Sequence, residues 1–199
     1  MSFTEFSIYF RAFFPHLPPL HWLMMSVAAA VVIVFMLVRR KGSSRGGSNP
    51  YNAVALGGMI FICLALLDIL LIHRFNADRP QQQCFNLLEE YRHIISGDEE
   101  YAYTMLFNFI LFIPLGFSLS EYFSSRPLRP GARQTLKLAA LFAFVFSLCC
   151  ESLQYVLRVG ISELTDVLLN TLGALAGVAV SLLVRGVVRR ILSIKTLIF

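Results

Sequence analysis

The sequence predicts an all-α integral membrane protein, a bundle of five transmembrane helices with its N-terminus outside and its C-terminus in the cytoplasm. Three observations predict this. Hydrophobic residues make up 57% of the 199 and charged residues 15%, against about 25% charged in an ordinary soluble domain. The apolar residues gather into five runs close to the roughly 20 residues a helix needs to cross a bilayer. Lys and Arg fall unevenly in the segments between those runs.

The runs are Leu20–Val38, Val54–Ile72, Tyr103–Leu119, Leu136–Leu157 and Thr165–Val184. No strand-like alternation competes with them, whereas a membrane barrel needs many short dyad-patterned segments. The first run lacks the basic leader of a signal peptide, and Arg39, Arg40 and Lys41 follow it. It is expected to stay as a helix inserted N-terminus first. One face of the membrane would carry Arg39, Arg40, Lys41, Arg45, Arg126, Arg129, Arg133, Lys137, Arg185, Arg189, Arg190 and Lys195. The other would carry only Arg11, Arg74, Arg79, Arg92 and Arg158. The richer side is the cytoplasmic one, in a multi-pass protein of the cytoplasmic membrane. Scattered in this way, the cations form no nucleic-acid patch.

Residues 1–19 form an outer segment in which Phe3, Phe6, Phe10, Phe13 and Phe14 recur at near-helical spacing before Pro15, Pro18 and Pro19. That pattern fits an aromatic helix at the interface. Residues 20–199 are expected to make a single helical membrane domain. In the loop before the third run, Phe85, Leu88, Tyr91 and Ile95 suit one face of a short helix lying on the membrane. Of the cysteines, Cys63, Cys149 and Cys150 lie in apolar runs and only Cys84 in a polar loop, so no disulfide is expected. No cofactor or metal motif occurs, and neither does a phosphate loop or a nucleophile elbow.

Depth makes the polar residues informative. At 1.5 Å per residue, Asp68, Asn108, Glu151, Gln154, Asp166 and Asn170 all fall within about 10 Å of the outer boundary. The inner half of the spans holds almost nothing polar beyond small hydroxyls. Glu151, Gln154 and Arg158 share one face of the fourth run, and Arg158 is expected to pair with Glu151 or Asp166. On the fifth run, Asp166 and Asn170 continue into Gly173 and Gly177, a small-xxx-small seam for close helix approach. Pro114 cannot donate to Ile110 and is expected to kink the third run. Ionisable groups within a membrane are costly and mark function by default. Asn108, Glu151, Gln154, Arg158, Asp166 and Asn170 are therefore the candidate ligand-binding set. Pro114, Gly116, Gly173 and Gly177 are the candidate packing set.

The stretches FNFILFIPLGFSLS (107–120) and ESLQYVLRVGISELTDVLLNTLGALAG (151–177) together resemble the signature of the VanZ-like family. The match falls on Asn108, Pro114, Gly116, Glu151, Gln154, Arg158, Asp166, Asn170, Gly173 and Gly177, within a core of about 84–185. CFNLL (84–88) resembles the segment before the family's third span, with Leu88 where a proline is usual. The family's founding member is associated with low-level resistance to the glycopeptide teicoplanin. Glycopeptides act outside the cytoplasmic membrane on cell-wall precursors, and teicoplanin carries a lipid tail. The resemblance thus implies a place and a phenotype rather than a reaction.

The leading expectation is a non-enzymatic membrane protein that binds an amphiphile, either a cell-envelope lipid or a lipoglycopeptide, at this polar site. The alternative is an intramembrane enzyme modifying a lipid or wall precursor, with Glu151 or Asp166 as general acid or base. A through-path is disfavoured by the apolar inner half and the lack of an inverted repeat. An assembly partner would use only the Gly173/Gly177 seam.

Overall fold

A computed structural model of the chain describes residues 50–72, 87–126, 129–159 and 162–198. The run Leu20–Val38, the aromatic segment 1–19 and Cys84 lie outside the described residues. Every element described is a helix. They are α1 (Pro50–Leu67), continued by a π-helical turn at Asp68–Ile72, then α2 (Leu87–Ser96), α3 (Glu99–Ser125), α4 (Ala132–Leu157) and α5 (Leu164–Ile198). Four are long and apolar enough to cross a membrane, over Val54–Leu71, Tyr101–Ser125, Ala132–Leu157 and Leu164–Arg190.

Local chemistry sets the helix ends. α2 stops at Gly97, whose φ of 70° needs the freedom of glycine. The Asp98 carboxylate then accepts from Tyr101 N–H at 3.3 Å and starts α3. α4 begins at Gly131 after Pro130 and ends at Arg158, which takes a left-handed φ of 56°. There Val159 N–H reaches back to the Gln154 carbonyl at 3.0 Å, closing the helix and burying Val159. α3 runs unbroken through Pro114.

Two helices outrun the sequence expectation. α3 continues past Leu119 to Ser125, and α5 passes Val184 to Ile198. At 35 residues α5 is about 52 Å long, well beyond a hydrocarbon core of about 30 Å.

α3 packs against α1, α4 and α5. Its buried Phe112, Leu115 and Leu119 meet Ile62, Leu66 and Leu70 of α1, Ala139, Ala143 and Cys150 of α4, and Ala174 and Val178 of α5. Leu64, Leu141, Val156 and Leu183 point outward, 57–72% exposed. Water would not tolerate such flanks over four helices, and lipid does.

The tightest approach is between α3 and α5. A Cβ on Gly116 would lie 1.7 Å from the Ala174 carbonyl oxygen. One on Gly173 would lie 2.0 Å from that of Phe109, and one on Gly177 2.0 Å from that of Ile113. Backbone therefore touches backbone at three levels. Ser120 opposite Ser181 and Ser124 opposite Arg185 continue the same register, so the two helices run parallel. α4 runs against them, with Ser147 opposite Asn170. α1 runs with α4, since Leu70 meets Gln154. The start of α5 thus shares one end of the bundle with the end of α4 and the π turn of α1.

Gly→Ala in a helix interior ordinarily stabilises by about 0.5–1 kcal/mol. At Gly177 the sign should reverse, because a backbone oxygen occupies the space the methyl needs. Gly177→Ala is expected to melt lower than the parent in detergent, with Gly57→Ala and Gly186→Ala, which have open space, unchanged or higher. Thermal melts followed by size-exclusion chromatography would measure this.

Candidate functional site

The first turn of a helix leaves backbone N–H groups without intrahelical acceptors. In α5 they are met by carboxylates from two other helices. Glu151 of α4, 1% exposed, accepts from Glu163 N–H at 3.2 Å, and its backbone carbonyl accepts from the Ser162 hydroxyl at 2.9 Å. Glu90 of α2, 2% exposed, accepts from Leu164 N–H at 3.2 Å and Thr165 N–H at 3.0 Å. The Thr165 hydroxyl also donates to Glu90. Asp166, 3% exposed, lies in the same first turn. Negative charge is favoured here by the helix dipole, which is how a membrane-buried end carries several acids.

Glu163 stands at the rim, half-buried. Burial, followed by the charges of Asp166 and Glu90, pushes its carboxyl up to about 7. Tyr101 of α3 lies beside it, and His93 of α2 stacks on the Tyr101 ring with centroids 5.3 Å apart. His93 Nδ1 also lies 3.2 Å from Asp98.

Below this rim, Gln154 donates from Nε2 to the Leu70 carbonyl at 3.0 Å. That carbonyl belongs to the π turn, where widened winding disturbs the usual i→i+4 ladder. Asn170 donates from Nδ2 to the Ser147 hydroxyl at 2.8 Å. Two buried amide atoms, Asn108 Nδ2 and Asn170 Oδ1, have no hydrogen-bond partner among the described residues. Leaving such an atom unpaired costs about 1–3 kcal/mol.

Of the six candidate binding residues, Glu151, Gln154, Asp166 and Asn170 are buried at this end on α4 and α5, and Asn108 is buried on α3. Arg158 is different. It is exposed, at the turn that ends α4, and does not fold back onto the buried carboxylates of Glu151 and Asp166. The expected ion pair is corrected on this point: a left-handed residue directs its side chain off the helix face that Glu151 and Gln154 share. Pro114 is half-buried on α3, while Gly116, Gly173 and Gly177 form the α3–α5 contact. The sequence reading missed Glu90, Tyr101 and Glu163. For Glu90 the one available signal was a carboxylate on the flank of a helix whose other side is apolar.

The opposite end of the bundle holds a buried ion pair just past the apolar runs, at residues the sequence reading left to a loop and the tail. Glu121 and Arg185 face each other across α3 and α5, with Nε to Oε1 at 3.5 Å and side chains 5% and 12% exposed. The Ser181 hydroxyl donates to Glu121 at 2.6 Å. The Arg185 guanidinium reaches the Ser120 and Ser124 hydroxyls and lies 3.0 Å from that of Ser181. Both charged residues belong to helices that continue past the apolar runs. From Asp166 to Arg185 the helix rises about 28 Å, so the two polar clusters sit near opposite membrane boundaries. Among the described residues no group of three or more His, Cys, Asp or Glu is placed to hold a metal ion.

Four apolar crossing helices with buried polar clusters at both ends define a multi-pass helical membrane protein. The chain belongs to the VanZ/LLP1 family, whose description matches residues 22–185, most of its length. No curated protein and no solved structure matches it significantly.

Two outcomes follow. Between the ordinary 4.5 and about 7, Glu163 holds a proton in the folded chain that it would lose on unfolding. Its contribution to stability is therefore full below 4.5 and lost as pH rises through 7. Glu163→Gln should melt higher than the parent at pH 8 and equal to it at pH 4.5. Separately, Glu121→Ala strands the Arg185 charge and should cost about 3–5 kcal/mol. The double substitution Glu121→Met/Arg185→Met should recover most of that loss in the same melts.

Proposed function

We propose that this protein binds an amphiphile or cell-envelope lipid at the α5 N-terminal end of the bundle, and so contributes to glycopeptide (teicoplanin) resistance. The observation that carries the reading is that two buried amide atoms, Asn108 Nδ2 on α3 and Asn170 Oδ1 on α5, have no hydrogen-bond partner among the described residues. One offers a donor and the other an acceptor, and Asn170 lies one helical turn on from Asp166 of the α5 first turn. A ligand's polar group would satisfy both, with its tails between apolar helix flanks. Glu151 and Gln154 serve this site by bracing the backbone around it. Asp166 and Glu163 supply charge, and the exposed Arg158 meets an acidic part of the head group at the rim.

In this reading the end lies in the outer leaflet of the cytoplasmic membrane with the C-terminus in the cytoplasm, which the charge asymmetry supports. Wall precursors and lipoglycopeptides are met on that side. One observation favours the enzymatic alternative. Glu163, held near 7, is matched to general acid–base work at neutral pH.

The test is growth at graded teicoplanin in a strain carrying the chain. Asp166→Asn and Arg158→Asn, the latter tolerant of left-handed backbone, should drop protection at least fourfold while the membrane content of the protein stays unchanged. Full protection by both variants would overturn the site. Turnover of a labelled lipid-linked precursor by the purified protein, lost in Glu163→Gln, would replace binding with catalysis. A tag on the C-terminal tail found outside the cell would put the site in the wrong leaflet.

A further inference from the structure

The side chains of α2 fall into two sets. Leu88, Tyr91, Ile94 and Ile95 are 70%, 59%, 48% and 65% exposed. Glu90 is buried, with both carboxylate oxygens on the first turn of α5. A helix packed on a water-soluble core turns the other way, apolar side in and carboxylate out. Burial of Glu90 fixes the rotation of α2 about its own axis, so its apolar side is directed away from the bundle. At 10 residues, about 15 Å, α2 is too short to cross a bilayer.

We propose that α2 is a membrane-interface helix whose apolar side lies in lipid at the boundary where α5 begins, and that Glu90 ties this insertion to the start of α5. Lipid is the occupant because the same surface continues onto the crossing helices at that end. Leu106 of α3 and Leu168 of α5 are also exposed, at 39% and 53%. The exposed Arg92 on the polar flank suits head groups, the arrangement of interfacial amphipathic helices. Gly97, with a φ of 70° and open space around it, supplies the joint between α2 and α3. Lifting α2 out of lipid would draw the Glu90 carboxylate off the Leu164 and Thr165 amides. Contact with lipid and capping of α5 are then one event. This inference does not rest on amphiphile binding by the acidic site.

The full chain carries a single tryptophan, Trp22, so Trp22→Phe with Tyr91→Trp places the sole indole on the exposed side of α2. In phosphatidylcholine vesicles its emission should be quenched by acyl-chain bromines, more by those near the head group than by those near the chain end. Hydrogen exchange by mass spectrometry then reads the coupling. Glu90→Ala should speed exchange of the Leu164 and Thr165 amides about tenfold, as loss of a cap does. Leu88→Ser/Ile95→Ser, exposed positions away from α5, should speed the same amides. An indole left unquenched, whether in water or under a second copy of the chain, would overturn the proposal. Unchanged exchange in Leu88→Ser/Ile95→Ser would also overturn it. If Glu90→Ala does not accumulate, these other two arms still decide.

Discussion

Everything in this bundle is registered by the contact of two backbones. Lipid gives helices no hydrophobic reason to associate, so packing, hydrogen bonds and close approach must hold them. Gly116, Gly173 and Gly177 let the carbonyls of Ala174, Phe109 and Ile113 come within contact distance of the facing helix. At that separation neither α3 nor α5 can slide without backbone clashes. The seam thereby sets which side chains meet above and below it. Ser120, Glu121 and Ser124 align with Ser181 and Arg185 at one end.

With the register set, the polar groups follow a single rule. A charge taken out of water must find fixed partners. At one end Glu90 and Glu151 find them in the amides of a helix start. At the other, Arg185 finds a carboxylate and three hydroxyls. The length between is closed with Phe112, Leu115, Ala174 and Val178. Four carboxylates around one helix start, Glu90, Glu151, Glu163 and Asp166, are tolerable because Glu90 and Glu151 stand where backbone N–H groups had no intrahelical acceptor. Glu163, which accepts less help, stays closer to neutral.

Much of this was readable from residue spacing. Apolar run lengths located the four crossing helices among the described residues, and the interval between Gly173 and Gly177 marked a face that needed no side chains. The sharing of one end by Glu151, Gln154, Asp166 and Asn170 followed from alternating chain direction and rise per residue. What escaped had physical causes. Hydropathy ends a run at its first charge, while the hydrogen-bond ladder of α3 and α5 continues, so Glu121 and Arg185 were assigned to water. The Arg158 side chain depended on a left-handed turn that residue type disfavours. Glu90 caps a helix that starts 74 positions later, and no local pattern encodes such a distance.

The π turn at Asp68–Ile72 sets how many residues the end of α1 needs. Wider winding accommodates one residue more than an α-turn does, so the turn spends an extra residue on the same stretch of axis. Excising one residue there would restore ordinary pitch and close the disturbed ladder that leaves the Leu70 oxygen to an outside donor. The Leu70 oxygen would leave the Gln154 amide. The end of α1 is thus tuned by chain length as well as by composition.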